Sequence, residues 1–192
     1  MKKVNAAIAC LLLTTTMLGG LSANAAEDET ATGKVTFTRG GGEGTNGLYI
    51  ESVSDLDFGS QVISIQEQNY PTAGNKFEVV DISGLYSGWN LQVKQGAQFA
   101  ANGSELNGAE LTLTNIASDG TGVGTAPGTV AAAVNFTNMD QNYPVVSAEA
   151  NQGKGKWGFD HASNLEVPAR ALPNAAEYTT TLTWSLVSGP AQ

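Results

Sequence analysis

The chain has 192 residues, 41% of them apolar, enough for one domain with a core and barely enough for two. Acidic side chains outnumber Lys and Arg 18 to 9, a net charge of -9, so no basic surface is available to follow nucleic-acid phosphates or anionic lipid. With 23 glycines and only 14% charged residues, the composition lacks the Lys and Glu that coat helices and matches turn-rich β proteins.

Lys2 and Lys3, an apolar stretch over residues 6–21 and the small-x-small run Ala23-Asn24-Ala25 predict a secretory signal peptide over residues 1–25. Thr14 to Thr16 and Gly19-Gly20 interrupt the stretch, which falls short of the roughly 20 residues of a bilayer span, so no membrane insertion of the mature chain is expected. Cleavage after Ala25 removes Lys2 and Lys3 and no acid, leaving 7 basic against 18 acidic side chains, a charge of -11. Cys10, the only cysteine, lies in this leader and too early in it for a lipoprotein box. The mature chain then has no disulfide, thiolate nucleophile or Cys-based metal site. Residues 26–33, with Glu27, Asp28 and Glu29, have no apolar period and read as a disordered lead-in to a domain spanning residues 34–192.

From Lys34 the apolar period is two. Val35 and Phe37 alternate with polar neighbours, as do Trp89, Leu91 and Val93, and again Val130, Ala132, Val134 and Phe136. Asn46-Gly47, Asn102-Gly103, Asn107-Gly108 and Asp119-Gly120 supply turn residues that tolerate positive φ. No stretch sustains a helical apolar pattern over three turns, and residues 171–177 are the one place a short helix is expected. Many short strands without βαβ alternation predict an all-β fold, an antiparallel β-sandwich, Ig-like or related, with few or no helices.

The last strand is the clearest: Tyr178, Thr180, Leu182, Trp184 and Leu186 share one face and Thr179, Thr181, Thr183, Ser185 and Val187 the other. Trp89-Asn90-Leu91, after Tyr86-Ser87-Gly88, repeats the Trp-x-Leu spacing. Gly88-Trp89-Asn90-Leu91 and the run from Tyr178 to Leu186 resemble the proximal and distal motifs of the WxL domain surface proteins of Gram-positive bacteria. Leu56-Asp57-Phe58-Gly59, the run from Leu106 to Leu113 and the run from Leu165 to Pro168 resemble that family in order and spacing, so the likeness covers nearly the whole mature chain. It implies a secreted protein held non-covalently on the cell wall through peptidoglycan, beside membrane-anchored WxL-interacting proteins. The end at Pro190-Ala191-Gln192, with no LPxTG-like box or apolar tail, fits that expectation.

Aromatic rings, amides and hydroxyls are the groups that bind a glycan, and Trp89, Leu91, Trp184 and Leu186 are therefore the candidate ligand-binding residues. The bland reading of the same residues is core packing, strongest for Trp184 and Leu186 in a regular strand, whereas Trp89 beside Gly88 suits a rim position. An alternative function is an adhesin or complex subunit that binds a WxL-interacting protein or a host matrix component without touching peptidoglycan.

Lys154-Gly155-Lys156-Trp157-Gly158-Phe159 is the one basic cluster; it reads either as a contact for peptide-stem carboxylates or as a loop whose aromatics plug the sandwich. Asp55 and Asp57 share a strand face by spacing, and His161 follows Asp160, but no HExxH, GxSxG, P-loop or EF-hand pattern accompanies them. No enzymatic activity, catalytic residue, metal or cofactor is expected.

Overall fold

The computed structural model describes residues 32–40 and 46–190; the expected leader and all but the end of the expected lead-in lie outside the described residues. The chain divides into two units, Met1–Phe37 and Thr38–Gln192. In the first, residues 32–37 carry no regular secondary structure. The strand expected around Val35 and Phe37 is thus not formed, and Phe37 is 88% exposed. Two alternating residues without a neighbouring ladder leave the backbone to water, and alternation then has nothing to pack on.

The second unit contains, among the described residues, eleven strands and no α-helix. In chain order they are β1 (Leu48–Val53), β2 (Gln68–Asp81), β3 (Trp89–Gln95), β4 (Ala100–Ala101), β5 (Ser104–Glu105), β6 (Glu110–Ser118), β7 (Thr129–Val130), β8 (Ala133–Asn135), β9 (Tyr143–Ala148), β10 (Gly155–Val167) and β11 (Leu182–Ser188). One sheet has the order β1-β2-β10-β6-β8, the other β11-β3-β9-β7, with β4-β5 as a separate hairpin; every pairing is antiparallel. β1 and β2 pair as neighbours in sequence, but β2 with β10, β6 with β10 and β3 with β11 pair across long stretches of chain, so both layers depend on long-range pairing.

Phe77, Val79, Phe159, Leu111 and Leu113 from the first sheet and Trp89, Leu91, Val93 and Val146 from the second form one buried core. Most alternate with more polar neighbours along their strands, Val80 beside Val79 and Val145 beside Val146 being the apolar exceptions, which is the pattern of a face turned to an opposing sheet. Phe77 stacks on Phe159, ring centroids 5.0 Å apart. The outer face of the first sheet carries the ion pairs of Lys156 with Glu51 and Glu78, and of Lys76 with Asp160 and Asp119.

Turn chemistry follows the sequence reading. Asn102 and Gly103 both take positive φ, 50° and 81°, as a two-residue hairpin between β4 and β5 requires. Two other expectations change. Residues 130–136 are not one strand: Thr129 and Val130 pair with β9 in one sheet, and Ala133 to Asn135 pair with β6 in the other. The small side chains of Ala131 and Ala132 let the chain cross between layers, so the alternation spans a corner. The short helix expected at residues 171–177 is a 3-10 turn at Ala169–Ala171, closed at Leu172 with φ 37°.

Candidate functional site

Strands β3 and β11 lie side by side, with Trp89 opposite Ser188, Leu91 opposite Leu186 and Val93 opposite Trp184. The two Trp-x-Leu pairs, 95 positions apart, are therefore cross-strand neighbours on the inner face of one sheet. Their leucines meet directly, and the tryptophans point into the core about 14 Å apart along the strands.

The burial of the two rings is the reverse of the expected order. Trp89 is 0% exposed and donates its indole N–H to the Gly153 carbonyl at 3.2 Å; Leu91 is also 0% exposed. Neither has surface to offer a ligand in this conformation. Trp184 and Leu186 are half-buried because β11 is an edge strand with β3 on one side alone. Trp184 rests on Phe77, ring centroids 5.0 Å apart, and on His161 at 6.4 Å. Local sequence could not rank the two, since burial is set by a strand's place in the sheet.

Gly88 explains why the first motif starts with glycine. Its φ is +87°, and a Cβ there would collide with the Ala148 carbonyl oxygen. The Gly88 carbonyl accepts from Gly189 N–H at 2.8 Å, and the Ser87 and Ser188 hydroxyls lie 3.2 Å apart. The start of β3 is thus wedged between the ends of β9 and β11.

At this end a cleft of about 300 Å³ opens, and Gly88, Leu186 and Ser188 from the two motifs line it. Arg39, Asn46, Ser83 and Ser87 add a guanidinium, an amide and hydroxyls, and Leu48 and Leu85 add aliphatic surface. Asp81, 2% exposed at its base, accepts from the Ser83 hydroxyl at 2.6 Å and the Ser83 N–H at 3.1 Å. Sequence reasoning found Gly88 and Leu186 here and missed the rest: Asn46 was read as a turn residue alone, and nothing local marks Arg39 or Ser83. A second cleft of about 410 Å³ lies beside the β4-β5 hairpin, with Ser104, Asn107, Asn174 and Tyr178 on its walls.

The remaining candidates have partners within the domain. Trp157 and Phe159 are buried, Lys156 pairs with Glu51 and Glu78 at 2.6 and 3.0 Å, and Lys154 lies 4.4 Å above the Tyr86 ring. Asp55 and Asp57 do not share a strand face, because residues 54–67 form no strand; Asp57 instead accepts from Gly59 N–H at 2.8 Å. His161 is 4% exposed among Phe77, Trp184 and Ser163, and burial pushes its pKa below the ordinary histidine value. Lys156 hydrogen-bonded to Glu78 lowers that carboxyl's pKa, and Thr121 hydrogen bonds lower that of Asp119. Among the described residues no group of three or more His, Cys, Asp or Glu is arranged to hold a metal, and no helix is long and apolar enough to cross a membrane.

The molecule is thus an all-β sandwich domain organised around two adjoining Trp-x-Leu strands whose ends share a polar cleft. The model of the WxL family, described as a surface cell wall-binding domain, matches residues 26–190, and the protein belongs to that family. Membership assigns it to the cell surface or cell wall. No curated protein and no solved structure matches the chain significantly.

Proposed function

We propose that this is a secreted, non-catalytic protein of a Gram-positive surface that binds peptidoglycan non-covalently through the cleft where the two motifs end. It works there as a component of a surface complex with a membrane-anchored WxL-interacting protein. The supporting observation is that Gly88, Leu186 and Ser188 open onto one cleft lined by a guanidinium, an amide, hydroxyls and aliphatic side chains. A sugar offers CH faces and hydroxyls, which such a mixed surface complements. Trp89 and Leu91 then serve by holding the cleft's walls, while Leu186 contributes directly.

The test is co-sedimentation of the protein with purified, protein-free Gram-positive sacculi, comparing wild type with Arg39→Ala and Leu85→Ala, each checked by circular dichroism. Leu85 is 62% exposed, so its truncation leaves the core intact. Each folded variant is expected to lose binding by about fivefold or more, the effect of removing one well-placed contact. Equal sedimentation of wild type and both variants would remove the cleft from the mechanism, and a wild type that stays in the supernatant would overturn direct wall binding.

A further inference from the structure

Between β1 and β2 the chain leaves the sheet in a way that the wall-binding reading does not use. Ser54 N–H still donates to the Lys76 carbonyl at 2.8 Å, and Gln68 begins β2. Among the described residues, no backbone-to-backbone hydrogen bond involves residues 55–67. The segment keeps side-chain bonds instead: Gly59 N–H to Asp57, Gln61 to the Phe58 carbonyl, Gln66 N–H to the Ser64 hydroxyl and Gln68 to the Glu67 carbonyl. Leu56 and Phe58 tether its first part to the core, Phe58 edge-on to Phe99 at 6.3 Å. Beyond them Val62, Ile63 and Ile65 stand in water at 87%, 50% and 83% exposure.

Such a segment is prone to pair with a strand. From Phe58 to Gln66 it has no charge and no proline, and Val62-Ile63-Ser64-Ile65 is rich in β-branched residues. An unpaired, apolar, β-forming stretch is what soluble proteins ordinarily avoid exposing unless it meets a partner. The order of residues indicates which partner. In an antiparallel pair of identical strands the two-fold axis stands perpendicular to the sheet, so each residue faces one of the same parity. With the axis at Ser64, Ile63 faces Ile65 of the second copy and Ile65 faces its Ile63. Four isoleucines then share one face, and Ser64 meets Ser64 on the other. Glu67, the first charge, falls opposite the neutral Gln61, so like charges do not meet across the pair.

We propose that residues 61–66 are a self-association strand that pairs antiparallel with the same segment of a second copy of this chain. Pairing exchanges the Ser64–Gln66 side-chain bond for ladder hydrogen bonds and covers the exposed isoleucines. The net charge of -9 on each copy opposes approach, so the dimer tightens as salt rises.

Sedimentation velocity of the full chain from about 1 to 100 µM, at low and high salt, is expected to show a concentration-dependent dimer, stronger at high salt. Ile63→Lys and Ile65→Lys lie at exposed positions, so folding is retained while dimerisation weakens about tenfold or more. In a Cys10→Ser background, Ser64→Cys places two thiols at the axis and is expected to form an intermolecular disulfide on mild oxidation; Ser60→Cys is not. A wild type that stays monomeric throughout would overturn the proposal. So would a dimer that neither lysine variant weakens, or one in which Ser64→Cys fails to cross-link. Sacculi binding by the lysine variants separates this outcome from the wall reading, which does not require the segment.

Discussion

Two side chains show most clearly how position decides role. Trp89 is sealed in the core, and its indole N–H has the Gly153 carbonyl as partner, so truncation opens a large cavity and strands that carbonyl. Trp89→Ala is expected to cost about 3–5 kcal/mol, read from the urea unfolding midpoint, and would leave a domain of ordinary stability marginal. His161 is the chain's only histidine, buried beside Phe77 and Trp184 with its pKa held down by desolvation. The folded state resists a proton that the unfolded state accepts, so this contribution is whole above about pH 6.5 and is lost as pH falls below it. The thermal midpoint should therefore drop between about pH 6.5 and 5 in wild type, and His161→Gln should flatten that slope. A slope unchanged by the substitution would mean that other groups cause it.

At the scale of elements, β3 and β11 form the unit that the family motif marks. Their register sets Leu91 against Leu186, and the glycine before Trp89 lets the chain enter β3 between β9 and β11. Gly88→Ala combines a positive φ of 87° with a collision against the backbone at Ala148, which cannot swing away as a side chain can. A loss of at least about 2 kcal/mol in chemical denaturation is expected, with the cleft distorted and sacculi binding reduced even at temperatures where the variant is folded. Full stability in that variant would mean the β9 end yields easily. The strand faces of this unit were legible, since Leu182, Trp184 and Leu186 turn inward as their alternation indicated. The strand proper begins only at Leu182; before it Thr179 bridges Ala100, and Thr181 accepts from Gly96 N–H at 3.0 Å. The threonine run is paired irregularly because a hairpin stands where a ladder would continue.

At the scale of the whole molecule, an excess of acid and a hydroxyl-rich cleft lead to a specific expectation for wall binding. Arg39 is the cleft's single cation, and the domain around it repels anionic wall polymers. Attachment through packing and hydrogen bonds at short range should survive a rise from about 0.1 to 1 M salt, where the screening length shrinks from about 10 to 3 Å. Release from sacculi across that range would instead point to charge pairing as the main attraction. Short-range packing and hydrogen bonds at the wall are not weakened by salt, whereas the repulsion between two acidic copies is screened by it, so salt separates the two contacts.

Periodicity of two, turn residues with positive φ and the lack of helical patterning were enough to reveal an antiparallel sandwich, because side-chain alternation is a local property of any strand with one buried face. The Trp-x-Leu pairs were equally plain, and so was the family they indicate. Sequence could not reveal that the pairs lie on adjacent strands, that Trp89 is sealed while Trp184 sits at an edge, or that Arg39, Asn46 and Ser83 share a cleft with Gly88. Those facts depend on which strands become neighbours, and neighbours here join residues nearly a hundred positions apart. Burial and site geometry belong to that pairing, and no local window of the chain contains it.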